Sequence, residues 1–475
     1  MSTRVQMNNG SSNQKSYNQS DPDIGLNSLK KRSFSFDTGA KTVYDTNRDT
    51  FYENLLFPSS NSSANHSTII DVEKLKTNAW KGIPFIYRPH VWRIFLDYEP
   101  ANTSLSASVL QHKRNDYFDC LDRVFNESQR HLWTNSQKQT ETQILKDLPR
   151  THVLLIRNEE RVKLLFERVL FVWAVRHPAS GYVQGMNDLL QPFFFVFLSE
   201  KLLNNQNSEG NSENNDQIFD DIESIENLAS IDGLSPQDLN DIEADCFWCF
   251  SKLLDSIQDL FTKDQPGIYK MLNHLEIVVS RVAPQLAKTI KDEEIQYQEF
   301  AFRWMNCLLI REFPMKLVLR LWDNYVCDPQ KIATMHVYIC AAMMEILLQP
   351  RLKGLSHADF VIRIQDPFMH QVSTGSFSSS ASGSAKASPQ SSGNIVNSLS
   401  SSELEPPPTR RIKRAQSTVI HPSGSSSNLS LSPKMKKKKD GWDEQDIDMV
   451  IAQAYVYEKM FQSSTHLKSP SKSKF

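Results

Sequence analysis

The chain has 475 residues, with Lys+Arg 53 against Asp+Glu 55 and a formal net charge of -2, which excludes a surface built throughout for nucleic acid. Hydrophobic residues make up 39% of it, a share diluted by Ser/Asn-rich tracts, so the core-forming part reads as one domain of about 300 residues. Its six cysteines are scattered through apolar segments as reduced core thiols are, which points to the cytosol; Cys246-Phe247-Trp248-Cys249 lacks the second pair or nearby histidine of a zinc site.

Residues 1–72 are Ser/Asn-rich with few clustered apolar side chains and are expected to be disordered; they open without the apolar run of a secretory signal. Within them, Lys30-Lys31-Arg32-Ser33-Phe34-Ser35 sets basic residues ahead of serines, which fits a kinase site or a solvated tail. The folded part, residues 73–370, takes shape at Trp80-Lys81-Gly82-Ile83-Pro84, ahead of a helix with Val91, Trp92, Phe95 and Leu96 on one face. Residues 164–175 read as a mostly buried helix, ended by His177-Pro178-Ala179-Ser180-Gly181. Apolar periodicity predicts further helices over residues 187–203, 247–261, 268–289, 300–311 and 335–348. Residues 189–199, the most apolar uncharged stretch, are too few to cross a bilayer, so any membrane contact is peripheral. No segment alternates as strands do, and the expected fold class is all-α.

Two insertions interrupt the helical pattern. Residues 204–241 are acidic and Asn/Ser-rich, residues 371–440 are Ser-rich and finally basic, and both read as flexible. The basic run Lys434-Met435-Lys436-Lys437-Lys438-Lys439 fits a solvated tail, a nuclear-import-like patch or attraction to anionic lipid. Residues 441–465, opening at Trp442-Asp443-Glu444, are expected to form a last helix that docks on the core, because an isolated helix of that length is marginal in water; residues 466–475 read as a disordered tail.

Two polar motifs stand out from this frame. In Asp147-Leu148-Pro149-Arg150 the proline restricts the backbone, and Asp147 is suited to cap a helix starting there. Arg150 would then lie in a first turn, where the helix dipole opposes a cation unless Asp147 or a ligand compensates. In Ser180-Gly181-Tyr182-Val183-Gln184-Gly185-Met186-Asn187-Asp188, glycines on both sides of Gln184 free the chain to turn tightly, and Asn187 and Asp188 are placed to cap the next helix. Taken alone, Arg150 is also an ordinary surface arginine in an ion pair, and Gln184 a polar loop residue with Tyr182 packed at its edge.

Taken in order, these residues resemble the TBC domain, whose pattern is Ile-x-x-Asp-x-x-Arg followed by Tyr-x-Gln. Ile144, Asp147 and Arg150 match the first part, and Tyr182 and Gln184 the second. Further landmarks follow in register: Gly82-Ile83-Pro84 with Arg88 and Val91-Trp92, then Phe302-Arg303-Trp304, Arg311-Glu312-Phe313-Pro314 and Arg320-Leu321-Trp322-Asp323. The resemblance spans residues 80–350, with a last piece at residues 442–457.

The resemblance implies a multi-helix fold that accelerates GTP hydrolysis on a Rab/Ypt small GTPase in its GTP-bound form. Arg150 would neutralise phosphate charge and Gln184 would orient the attacking water, with Asp147 and Tyr182 in support and Arg88 and Arg320 in structural ion pairs. No cofactor of the chain's own is implied, since GTP and Mg²⁺ arrive on the Rab. Tyr98-Glu99-Pro100-Ala101-Asn102, Lys113-Arg114 and the segment from Arg176 to Tyr182 are similar to a Golgi-associated subgroup, which implies a cytoplasmic protein peripheral to endomembranes. Asp97 departs from the family, whose members often carry glycine there. The alternative reading is a non-catalytic α-helical Rab-binding scaffold or adaptor.

Overall fold

The computed structural model describes residues 43–57, 69–125, 127–151, 153–208, 225, 228, 230–352, 354–365 and 442–463, and those residues are almost entirely helical. The motifs at residues 30–35 and 434–439 and the tail at 466–475 lie outside the described residues.

In chain order the first helices are α1 (Val43–Leu56), α2 (Val72–Ala79), α3 (Arg88–Phe95), α4 (Thr103–Val124) and α5 (Asn135–Asp147). They are followed by α6 (Leu154–Asn158), α7 (Glu160–Arg176), α8 (Met186–Ser208) and α9 (Pro236–Ser256). The second half holds α10 (Pro266–Val282), α11 (Pro284–Asp292), α12 (Tyr297–Cys307), α13 (Met315–Cys327), α14 (Ile332–Met343), α15 (Gln349–Leu352), α16 (His357–Gln365) and α17 (Glu444–Ser463).

Helix α8 is the hub. Phe193, Phe194 and Phe195 are fully buried on three successive positions, which only a helix surrounded by others can achieve, and α9, α3 and α7 pack around it. The rings of Trp92 and Trp322 stack 6.4 Å apart, and Phe193 meets each of them edge-on at 5.7 Å. Beside these rings the buried carboxylate of Asp323 accepts from the Ile83 amide, the Trp92 indole and both Nε and Nη2 of Arg88. Every charge there has a partner, which is the condition for burying one. The late helix α17 lies on α14 and α13, burying Ile447, Val450, Ile451, Ala454, Tyr457 and Phe461. Arg320 ties it down, with Nη2 2.7 Å from Asp448 and donating to the Trp80 carbonyl. The guanidinium stem crosses Gly82, where φ is +94° and a Cβ would meet Arg320 at 3.0 Å.

Several boundaries differ from the periodicity. The expected disorder of residues 1–72 does not hold for residues 43–57, where α1 buries Tyr52 and Leu56. The expected insertion at residues 204–241 narrows, because α8 continues to Ser208 and Ser235 opens α9 with a capping box. The helix predicted over residues 268–289 is two: Pro284 has no amide hydrogen and drives Ala283 out of the helical region, to φ −129° and ψ 61°. The helix predicted over residues 300–311 stops at Cys307, where Leu308 and Leu309 both adopt left-handed backbone, at φ 47° and 63°. Among the described residues, residues 329–352 form a helical run long and apolar enough to span a membrane, and 72% of its most apolar window is buried in the fold. Asp97 has φ 54°, which accounts for the glycine expected there, and its carboxylate is 2.8 Å from Lys252 Nζ.

Candidate functional site

Asp147 sits at the joint between α5 and a short 3-10 turn, Leu148–Arg150. Pro149 cannot donate to the α-helical ladder, so the chain tightens into that turn, which leaves Arg150 at its end. The expected helix start is therefore absent, and Asp147 makes no side-chain capping bond there. Its carboxylate, only 3% exposed, turns to other side chains: Oδ1 accepts from Arg150 Nη1 at 3.3 Å, and Oδ2 accepts from the Tyr182 hydroxyl at 3.0 Å and from Gln143 Nε2 at 3.3 Å. The Arg150 side chain is 60% exposed. Held by one long contact and otherwise facing solvent, its guanidinium is free to exchange that contact for an incoming anion at little cost.

The second segment joins α7 to α8. Gly181 and Gly185 have φ of +62° and +105°, so the glycines that frame Gln184 are both in the conformation that side chains resist. Burial, and then the charge of Asp147, push the Tyr182 hydroxyl far above its ordinary range, which keeps it protonated and donating to Asp147. Two residues on, Gln184 is exposed, while its carbonyl accepts from Asn306 Nδ2 at 3.0 Å. The backbone of this residue is fastened and its side chain faces outward.

Asn187 and Asp188, expected as caps, lie inside the first turn of α8. The Asn187 amide oxygen accepts a second, longer bond from Tyr182 at 3.4 Å. Asp188 accepts from Arg311 Nε at 2.9 Å, from Gln191 Nε2 at 3.0 Å and from the Cys307 thiol at 3.5 Å. Burial raises the Asp188 pKa, with Arg311 opposing. For Arg311, burial works against the charge, but Asp188, Cys307 and Asp147 more than offset it and raise its pKa.

Arg311 thus belongs to the same polar cluster as Asp147, and the left-handed pair Leu308–Leu309 turns the chain so that it does. In the sequence Arg311 is a family landmark without an assigned role, and Asn306 belongs to no motif. No local signal marks either residue, because their partners lie in distant segments of the chain. The cluster joins Asp147 to Arg150 directly and to Tyr182 across chain segments, bringing three of the four expected site residues into hydrogen-bond contact. Gln184 adjoins them through the backbone.

The profile of the Rab-GTPase-TBC domain matches residues 86–352, which include all of these side chains. The chain belongs to that family. The TBC domain also agrees with solved geometry: the structure of the Ypt/Rab-GAP domain of Gyp1p superposes with a TM-score of 0.63 and 29% identity, covering 88% of this chain and 99% of that one. TBC1 domain family member 22B of Homo sapiens is 41% identical over 292 residues, 60% of this chain and 53% of that protein. GTPase-activating protein gyp1 of Schizosaccharomyces pombe is 38% identical over 306 residues, 62% of this chain and 54% of that protein. The chain therefore spans about half the length of the curated relatives it matches. Helix α17 lies beyond the matched span of the TBC profile, yet packs on its last helices.

Proposed function

We propose that the chain is a GTPase-activating protein for a Rab/Ypt small GTPase, acting on the GTP-bound form and supplying Arg150 and Gln184 to the partner's nucleotide. Membership of the TBC family supports the reaction class, as do relatives whose names carry GTPase activation. The observation that carries the residue assignment is the shared carboxylate of Asp147, which couples the exposed Arg150 to the Tyr182–Gln184 loop.

The chemistry follows from the charges. Phosphoryl transfer to water spreads negative charge over the γ-phosphoryl and bridging oxygens, and an arginine introduced there lowers the barrier by neutralising it. Arg150 has a forked set of donors beyond the one given to Asp147, the geometry that matches phosphate oxygens. A glutamine amide both donates and accepts, as holding a water in line with the phosphoryl group requires, and Gln184 offers such an amide on a fixed backbone. Asp147 and Tyr182 support the two groups from behind. GTP and Mg²⁺ belong to the Rab, and the reading gives the chain no cofactor of its own.

The same reading places the protein in the cytoplasm, in vesicle transport, with peripheral contact to Golgi or other endomembranes. Liposome sedimentation with and without residues 436–439 tests the membrane contact; equal sedimentation removes lipid as the role of that basic run.

Hydrolysis of GTP on a panel of Rab proteins, with wild type, Arg150→Ala and Gln184→Ala, tests the central reading. Wild type is expected to accelerate at least one Rab, and both variants to lose most of that acceleration. GTP-dependent Rab binding without acceleration would instead establish a scaffold, and no Rab binding an unrelated helical adaptor.

A further inference from the structure

We infer that Asn306 is a positioning residue for Gln184, through a relay of two side-chain amides that fixes the peptide plane from which Gln184 projects. This inference rests on the proposal that Gln184 takes part in the reaction.

Asn306 is the penultimate residue of α12 and is 9% exposed. Its Nδ2 donates to the Gln184 carbonyl at 3.0 Å, while its Oδ1 accepts from Gln265 Nε2 at 3.3 Å. The same Gln265 nitrogen donates to the Leu260 carbonyl at 3.0 Å. A carbonyl can only accept, so both ends of the relay are acceptors and each amide has one orientation that satisfies all its contacts. Flipping either amide would set oxygen against oxygen at one end. The relay is directional and self-consistent, and it terminates on the backbone of the residue that faces outward.

The space for it is made by the absence of a side chain. At Gly185, φ is +105° and a Cβ would lie 2.3 Å from Asn306 Nδ2, far inside van der Waals contact. No L side chain at 185 permits the approach, so the glycine serves two ends at once, the turn and the access of Asn306 to the carbonyl. Because the peptide unit is planar, fixing the Gln184 carbonyl also fixes the Gly185 amide and restricts the ψ angle of Gln184, hence the direction in which its Cα–Cβ bond points. Tyr182, bonded to Asp147, anchors the segment on the other side. Gln184 is then held between two anchors with only its own side-chain torsions left to adjust. Gln265 bears a cost for its place in the relay, lying at φ 46° and ψ 52°, beside Asp264 at φ 63°.

The test uses the full chain and two readouts. The first is hydrogen exchange, followed by mass spectrometry, in the peptide covering residues 180–188. The second is the kcat and KM of stimulated hydrolysis on the most responsive Rab. Asn306→Asp keeps the size and the acceptor but has no donor for the Gln184 carbonyl; Asn306→Ala removes both. In each, exchange at residues 180–188 is expected to rise about tenfold with residues 160–175 unchanged, and kcat to fall by about 10- to 10²-fold with KM within a factor of about two, the upper figure being the loss that a misplacement of about 1 Å causes. Gln265→Ala, which leaves the Asn306 donor in place but unlocked, is expected to give a smaller change in the same direction.

Wild-type exchange in both Asn306 variants overturns the inference whatever the activity. So does a raised KM with unchanged kcat, which would make Asn306 a docking residue, or equal loss of protection along the whole domain, which would make it structural. If Gln184→Ala hydrolyses as wild type does, the functional reading fails, and exchange at residues 180–188 still decides whether Asn306 holds the loop.

Discussion

Tyr182 donates its phenolic proton to one oxygen of Asp147 while Arg150 occupies the other, so a residue from the α7–α8 loop and one from the turn after α5 are set against each other by a single buried carboxylate. Neither contact is strong alone. Their value lies in geometry, since two separate chain segments share one carboxylate.

Replacing Tyr182 by phenylalanine deletes one of these bonds and leaves Asp147 with Arg150 and Gln143. The expected cost in stability is about 1.5–3 kcal/mol, the usual worth of a hydrogen bond to a charged group. Stimulated hydrolysis is expected to fall about tenfold, more than that stability loss explains, because the support of both catalytic groups loosens. Thermal unfolding and Rab-stimulated GTP hydrolysis on the same preparation measure the two effects; a normal rate with a lowered melting temperature would make Tyr182 a packing residue only.

Arg150 carries the opposite profile. With most of its side chain in solvent, Arg150→Ala should leave the melting temperature within a degree or two of wild type and abolish about 10³–10⁵ of the rate enhancement. Arg150→Lys should restore little, because an ammonium cannot form the paired contacts of a guanidinium. A lysine variant as active as wild type would reduce the requirement to a point charge.

Asp323 tests the frame rather than the site. It is fully buried and accepts from Ile83, Trp92 and Arg88, so Asp323→Ala strands a buried guanidinium beside two unpaired N–H groups. A loss of about 3–5 kcal/mol is expected from denaturant unfolding, in line with breaking a buried ion pair from one side. A loss below about 1 kcal/mol would mean that water reaches Arg88.

Two buried groups give stability opposite pH slopes. Burial pushes Glu243 up to about 7, with Arg168 and the Tyr117 hydroxyl only partly opposing, so the folded state keeps a proton that the unfolded chain releases near 4.5. Its contribution is present below pH 4.5 and is lost as pH rises through 7. Burial takes His336 down to about 3, its ring donating from Nε2 to the Trp304 carbonyl and accepting at Nδ1 from Tyr325. That contribution is present above pH 6.5 and is lost as pH falls toward 3. Glu243→Gln should therefore gain on wild type by about 1–3 kcal/mol between pH 5 and pH 8, measured by denaturant unfolding at both. An unchanged difference would show that Glu243 is ionised throughout.

Much of the fold was legible because helix periodicity and buried aromatics leave little choice of class. The break at Ala283–Pro284 was there to be read from proline chemistry, although the apolar pattern runs straight through it. The turn at Leu308–Leu309 was not, since leucine carries no preference for left-handed backbone and is held there by burial of both side chains. Helix α1 was hidden by the Ser/Asn-rich sequence around it, although it buries Tyr52 and Leu56 and packs Phe51 and Leu55 against the core. At the site, Arg150 and Gln184 emerged from resemblance to a family, whereas Arg311 and Asn306 depend on contacts between segments more than a hundred residues apart.

The seating of α17 on α14 and α13 sets the order in which this protein can be finished on the ribosome. Residues 370–441 must be translated after the faces of α14 and α13 exist and before α17 does. At about 5–20 residues per second that interval lasts roughly 4–14 s. Throughout it the nascent domain presents the apolar surface that Val450, Ile451, Ala454 and Tyr457 will later cover. A long insertion ahead of the closing helix therefore imposes a waiting time on biosynthesis, and chaperone occupancy of chains stalled before residue 442 is where that wait should be visible.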